Sequence, residues 1–398
     1  MKTSAIYYVL FCCFLVFVMF GCTEEQKSII DNLQDLPTPT ITDMTGAIGF
    51  GGEEATITGT GFSTDPRKNL ITFGPVEGVG YKSVYAEEAT STTLTFTKPG
   101  ISAIDLTLTT VVRVSRLDDK DPKRSNGLEV QFLPLISVYT SGFKRARSIA
   151  FDAAGDGYVA EYDLDNLRIV KVSTATGEKT DYASIPPSNL RGEIEFDSQG
   201  NLWVGTAWEA LWKVAPGGGV AENSGFAEAV CKCVSFDAND NLYAANETIH
   251  RITPGGTETD LELWDFWPGA VSTVADGYLY WWEKQEEGPM PLYKAPITAD
   301  GVGAAELITE TEEGKYWPST IVVDADGNVY GTGGAGWGPE YSSAIYKIAP
   351  DGTESIVYDL GIDSTWGLEF REGYLYVAMQ DDGRVLKFYM FGAVGAGR

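Results

Sequence analysis

Tryptophan carries the strongest chemical signal in this chain. Trp267-Pro268 and Trp317-Pro318 stand at the same offset before two apolar segments, and Trp366 lies two places later before a third. Trp208, Trp282 and Trp337 fall at or beyond the ends of further apolar segments, with Tyr162 and Tyr341 in the same stretches. An indole has a broad, weakly polar face that suits the C–H side of a sugar ring, while nearby acids, amides and cations can bond hydroxyl groups. Glu161, Asn246, Glu283, Arg147, Arg191 and Lys232 supply that mix. The cations stand early and the tryptophans late, which suits a ligand with one apolar side and one polar or acidic side. Two other readings stay open. The tryptophans could pack between loops and seal an opening, or they could meet a protein partner.

Other chemistries have less material. The single histidine, His250, occupies a position where related segments carry Trp212, Tyr293 and Tyr346, so packing is its expected role. A histidine-based catalytic triad or a His-rich metal site therefore lacks its parts. Glu161 and Glu283 leave a carboxylate-only glycosidase open. Asp324-Ala325-Asp326-Gly327-Asn328 has the look of a calcium loop but lacks the later bidentate Glu, and it reads as a hairpin turn. No catalytic residue, metal ligand or cofactor site is assigned. Of five cysteines, Cys12 and Cys13 lie in the leader, and Cys231 and Cys233 read as small buried apolar residues. With 29 basic against 56 acidic residues the net charge is −27, which argues against a nucleic-acid partner.

These residues need a scaffold, and the repeats provide it. Phe196-Asp197-Ser198-Gln199-Gly200-Asn201-Leu202-Trp203-Val204 reads as strand, tight turn, strand. Variants begin at Phe151, Phe236, Val274, Val323 and Phe370, giving six copies at roughly 40–48 residues, the period of four-stranded propeller blades. Each is followed by a second hairpin cue such as Leu211-Trp212-Lys213-Val214 or Ile345-Tyr346-Lys347-Ile348. No long stretch has helical periodicity, so the class is all-β. Tyr158, Trp203, Tyr243, Tyr280, Tyr330 and Tyr376 form one aromatic column, expected to pack between blades. The last copy lacks an outer strand, and Leu135 to Tyr139 precedes the first copy with no blade of its own; the two should pair and close the ring. Antiparallel meander connectivity places the loop before each inner strand and the loop after each second strand on one rim, where the singled-out residues fall. Sequence and count resemble the NHL-type six-bladed β-propellers. Gluconolactonases and streptogramin lyases are also six-bladed, but none of their metal or acid–base motifs is found here.

The N-terminal third differs. Met1 to Phe20 is an apolar run after Lys2 and reads as an export signal. Met19-Phe20-Gly21-Cys22 resembles a bacterial lipoprotein lipobox, which implies lipidation of Cys22, and Thr23-Glu24-Glu25 resembles the surface-export signal of Bacteroidetes lipoproteins. The expected organisation is a signal peptide over 1–21, a tether over 22–37, a β-sandwich over 38–132 and the propeller over 134–398. Ala55-Thr56-Ile57-Thr58-Gly59-Thr60-Gly61-Phe62 and Asn69-Leu70-Ile71-Thr72-Phe73-Gly74 resemble the IPT/TIG immunoglobulin-like family, a spacer or interaction module. Gly59 and Gly61 should let Phe62 fold into its core. Asp118 to Arg124 reads as a solvated charged turn. Together these features resemble Bacteroidetes surface glycan-binding proteins. That implies a lipid anchor in the outer membrane, an oligosaccharide or polysaccharide ligand, and a role without bond cleavage. The alternatives are a propeller that docks an outer-membrane transporter complex, and a lyase or hydrolase.

Overall fold

The computed structural model describes residues 36–397, apart from 77–79, 101–106, 120–121, 164–165, 187–191, 207–210, 227–232, 246–247, 264–269, 284–287, 312–318, 334–342, 362–364 and 392. The chain divides into two compact units between Leu135 and Ile136.

The first unit is a pair of facing sheets. One orders Thr40–Met44, Glu54–Thr60, Thr93–Thr97 and Glu88–Ala89; the other orders Ile48–Gly49, Leu128–Phe132, Leu108–Arg116, Asn69–Val76 and Gly80–Tyr85. Strand alternation sends Ala55, Ile57, Leu94 and Phe96 inward from the first sheet, and Ile71, Phe73, Val112, Val114, Val130 and Phe132 from the second. Phe73 sits at the centre, with ring centroids 6.0 Å from Phe96 and 5.5 Å from Phe132. Burying one such ring contributes about 1.5–3 kcal/mol. Gly61 adopts φ +76°, and Phe62 beside it is buried. The charged turn is less solvated than its composition implies. Asp118 accepts from Arg116 Nε at 2.5 Å and from Ser63 Oγ at 3.0 Å, and Asp119 is buried.

The second unit holds six sheets among its described residues, antiparallel but for one edge strand. Their inner strands are Ala146–Phe151, Ile194–Phe196, Cys233–Phe236, Ala270–Ala275, Ile321–Val323 and Thr365–Arg371, here blades one to six. Each inner strand neighbours the next, and the sixth lies against the first, so the sheets close a six-bladed β-propeller. Ile136–Thr140 pairs antiparallel with Arg384–Tyr389, Ile136 opposite Phe388 and Val138 opposite Leu386. The strand before blade one thus completes blade six, as the sequence leads one to expect, and removes an open edge. Blade one also gains a short fifth strand, Gly219–Val220, parallel to Ala183–Ser184. Only glycine fits at Gly218 beside it, because a Cβ there would lie 2.1 Å from the Tyr182 carbonyl oxygen.

The inner hairpins explain the repeat. Asp197 accepts from the Asn201 backbone N–H at 2.8 Å, the Asn201 side-chain amide at 2.7 Å and the Trp203 indole N–H at 3.0 Å. Asp237 with Asn241 and Tyr243, and Asp324 with Asn328 and Tyr330, repeat the arrangement. In blade one the Tyr158 hydroxyl donates to Asp152. One carboxylate therefore fixes the turn and orients the column aromatic, and all six column residues are buried. Blades four and six replace this lock with two-residue turns, Asp276-Gly277 and Glu372-Gly373, in which all four residues have positive φ. Asp324 to Asn328 is accordingly the hairpin turn its place in the repeat implies, and Cys233 is buried.

Candidate functional site

The chain reversal that builds each blade fixes which residues share the loop-bearing rim. Of the fourteen candidates, Trp208, Trp267, Trp317, Trp337, Tyr341, Arg191, Lys232 and Asn246 lie outside the described residues, as does Cys22. The other six separate into three outcomes.

Arg147, Trp366 and Tyr162 come together. Arg147 starts the inner strand of blade one, Trp366 that of blade six, and Tyr162 ends the second strand of blade one. The Arg147 guanidinium carbon lies 4.0 Å from the Trp366 ring centroid and 5.3 Å from that of Tyr162. Contacts of this kind are worth about 0.5–2 kcal/mol each, more when desolvated. Arg147 is buried, while both aromatic rings are half-buried. Gly367 makes the cluster possible: a Cβ there would lie 2.6 Å from Ser148 Cα, so only glycine lets the two inner strands approach this closely. The stack corrects one expectation. The sequence sets the cations in the early blades and the tryptophans in the late ones, but ring closure places blade six beside blade one and brings Arg147 onto the Trp366 ring.

Glu161 is committed to its neighbours, and Glu283 is buried. Glu161 is buried and accepts from the Lys144 backbone N–H at 2.8 Å and from Arg168 Nε at 2.6 Å. Arg168 also reaches Asp181 at 2.8 Å, and Lys144 pairs with Asp163. Glu161 therefore ties the blade-one rim together instead of offering a free carboxylate. Glu283 is buried too, and burial raises its pKa against a single counter-effect, the Trp281 indole N–H at 3.2 Å.

Trp282 is the clearest correction. It is 1% exposed, and its indole N–H donates to the Met290 carbonyl at 3.1 Å. Trp281 is equally covered, stacked on Tyr293 with centroids 5.3 Å apart. Alternation sends these neighbours to opposite faces of the blade, but in a propeller both faces meet another blade. His250 packs within blade three, its Nδ1 3.2 Å from Glu258 Oε1.

Sequence reasoning missed the centre of the ring. A cavity of about 360 Å³ is lined by the inner strands of all six blades and by Val394, Gly395 and Ala396 of the C-terminal tail. The tail crosses the short-turn rim. Ala325 N–H donates to the Val394 carbonyl at 2.7 Å, Ala396 N–H to Val323 at 2.9 Å, and Asp276 N–H to Gly397 at 2.7 Å. Glu195, Ser235, Thr273 and Glu369 share one register position, each opposite the column aromatic of its own blade. That shared position was readable from the repeat alignment and is the signal that would have found them.

No protein-family model matches the chain, and no curated protein matches it. Among solved structures it is similar to a protein of unknown function from Bacteroides thetaiotaomicron, at 17% identity over 89% of this chain and 98% of that one, with a TM-score of 0.50. It is similar to a gluconolactonase from Xanthomonas campestris at 9% identity, over 64% of this chain and 89% of that one, with a TM-score of 0.51. An auxiliary nutrient binding protein from Bacteroides thetaiotaomicron aligns at 12% identity over 89% and 98% of the two chains, with a TM-score of 0.48. At such identities the likeness of the first two shows the fold alone.

Proposed function

We propose that this chain is a non-catalytic glycan-binding lipoprotein, held at the outer membrane through lipidated Cys22. An immunoglobulin-like spacer follows the tether, and the propeller captures an oligosaccharide on its loop-bearing rim. The observation that carries the reading is the cluster of Arg147, Trp366 and Tyr162. There a buried guanidinium braces a half-buried indole where the inner strands of blades one and six begin. A braced aromatic face loses little side-chain entropy on stacking against a sugar. The commitment of Glu161 to Lys144 and Arg168 favours capture over hydrolysis, because a glycosidase needs carboxyl groups able to reach the scissile bond.

Calorimetry of the mature chain against a panel of plant and host oligosaccharides tests this. At least one glycan should bind, and Trp366→Ala should weaken it about tenfold, the worth of one lost stacking contact. Trp267→Ala and Trp317→Ala should weaken it further. Binding to no member of the panel overturns the reading, as does binding indifferent to all three substitutions. New reducing ends or unsaturated products on incubation would instead support a hydrolase or lyase. Recovery of an outer-membrane transporter with glycan absent would support a docking role.

A further inference from the structure

The rim cluster extends one residue further than an aromatic face requires. Arg145 stands directly before the inner strand of blade one, and its carbonyl oxygen accepts from the Tyr162 N–H at 3.0 Å. Its guanidinium carbon lies 5.9 Å from the Tyr162 ring centroid, and that of Arg147 lies 5.3 Å from the same centroid. Two guanidinium groups therefore share one tyrosine ring, and the second also covers Trp366. Arg145 is partly exposed. The acids of this edge are taken by other cations. Asp163 pairs with Lys144, while Glu161 and Asp181 pair with Arg168. Asp382, in the turn that meets Phe143, pairs with Arg384. Arg145 is left with the tyrosine ring as its one electrostatic partner among the described residues. A cation–π contact occupies no N–H donor, so those of Arg145 stay available to a ligand. Two cations that share one ring also repel each other, and an anion beside them relieves that repulsion.

We propose that the oligosaccharide taken by this rim is acidic, with a carboxylate or sulfate of the sugar seated on Arg145 and a ring stacked at Trp366. The proposal rests on the glycan-binding reading above and narrows it to one ligand class. A guanidinium donates two parallel hydrogen bonds to an oxyanion, a match that a compact ammonium lacks. A neutral glycan offers Arg145 only hydroxyl oxygens, without the attraction between opposite charges. The net charge of −27 opposes an acidic ligand at long range. Salt screens that field beyond about 8 Å at physiological ionic strength, so direct contact with Arg145 decides the outcome.

Titration calorimetry of the mature full chain with two matched pairs tests this. One pair is an oligogalacturonide and its methyl ester; the other is a sulfated galactan oligosaccharide and its desulfated form. At least one acidic member should bind about tenfold more tightly than its neutral partner, the worth of one charge-assisted hydrogen bond. The pair in which this occurs tells carboxylate from sulfate. Arg145→Gln should remove the preference and leave the neutral member's affinity and the melting midpoint unchanged. Arg145→Lys should restore part of it. Added salt should weaken the acidic ligand more in the unsubstituted chain than in Arg145→Gln. Equal affinities within both pairs, or a preference that survives Arg145→Gln, overturns the acidic assignment. If such binding is still weakened by Trp366→Ala, the glycan-binding reading stands without it. A preference lost in Arg145→Gln but indifferent to Trp366→Ala keeps Arg145 as an anion contact and overturns the stacking. Binding of no glycan, acidic or neutral, overturns both readings.

Discussion

At the scale of single residues, the carboxylates of the inner turns do most of the organising. Burial alone would raise the Asp197 carboxyl, but donors from Trp203 and Asn201 outweigh it and hold the pKa below its ordinary 3.8. A group whose folded pKa is depressed stabilises the fold above its unfolded value, and that contribution drains as pH falls through the folded value. Urea unfolding between about pH 5 and pH 2 should show stability falling with pH. Asp197→Asn should make the fall shallower, and Asp197→Ala should cost about 2–3 kcal/mol at neutral pH by stranding the Asn201 and Trp203 donors. The tryptophans sort by the same measure. Trp282→Ala should cost about 3–5 kcal/mol in chemical denaturation because it empties a core site. Trp366→Ala, at a half-buried site, should cost less stability and act on binding. Equal stability losses in the two variants would count against their assignment to core and rim.

At the scale of elements, two chain ends close the ring. Ile136–Thr140 supplies the outer strand of blade six through its pairing with Arg384–Tyr389. Expression from residue 134 should give a monomeric, cooperatively melting propeller. Starting at residue 143 leaves Arg384–Tyr389 as a bare edge, which should lower the melting midpoint by about 10 °C and promote association visible by light scattering. The tail acts at the other rim. Removing residues 394–398 deletes the bonds to Ala325, Val323 and Asp276 and should lower the midpoint by about 5–10 °C.

At the scale of the whole molecule, the chain divides into two compact units. Among the described residues no helix is long and apolar enough to cross a membrane, and the attachment proposed above is through Cys22. Cys22→Ala should abolish incorporation of labelled fatty acid and move the protein from the membrane fraction to the soluble one. Unchanged membrane association in that variant would remove the lipid anchor from the proposal. The net charge of −27 keeps so large a surface soluble and limits adventitious contact with anionic material.

Local periodicity by itself determined the all-β class, the six repeats, the buried aromatic column and the pairing of the first propeller strand with the last. A strand, a turn or a missing edge leaves its mark within a few residues of chain. The two Trp neighbours mark where that reasoning stops. Alternation placed Trp281 and Trp282 on opposite faces, but only the assembled ring showed that both faces of a blade are interior. Glu161 looked like a rim acid until Lys144 and Arg168 were found on it. The meeting of Arg147 with Trp366 joins residues more than two hundred positions apart, and the cavity takes its wall from six strands and a tail. Such contacts depend on ring closure, and no local pattern encodes them.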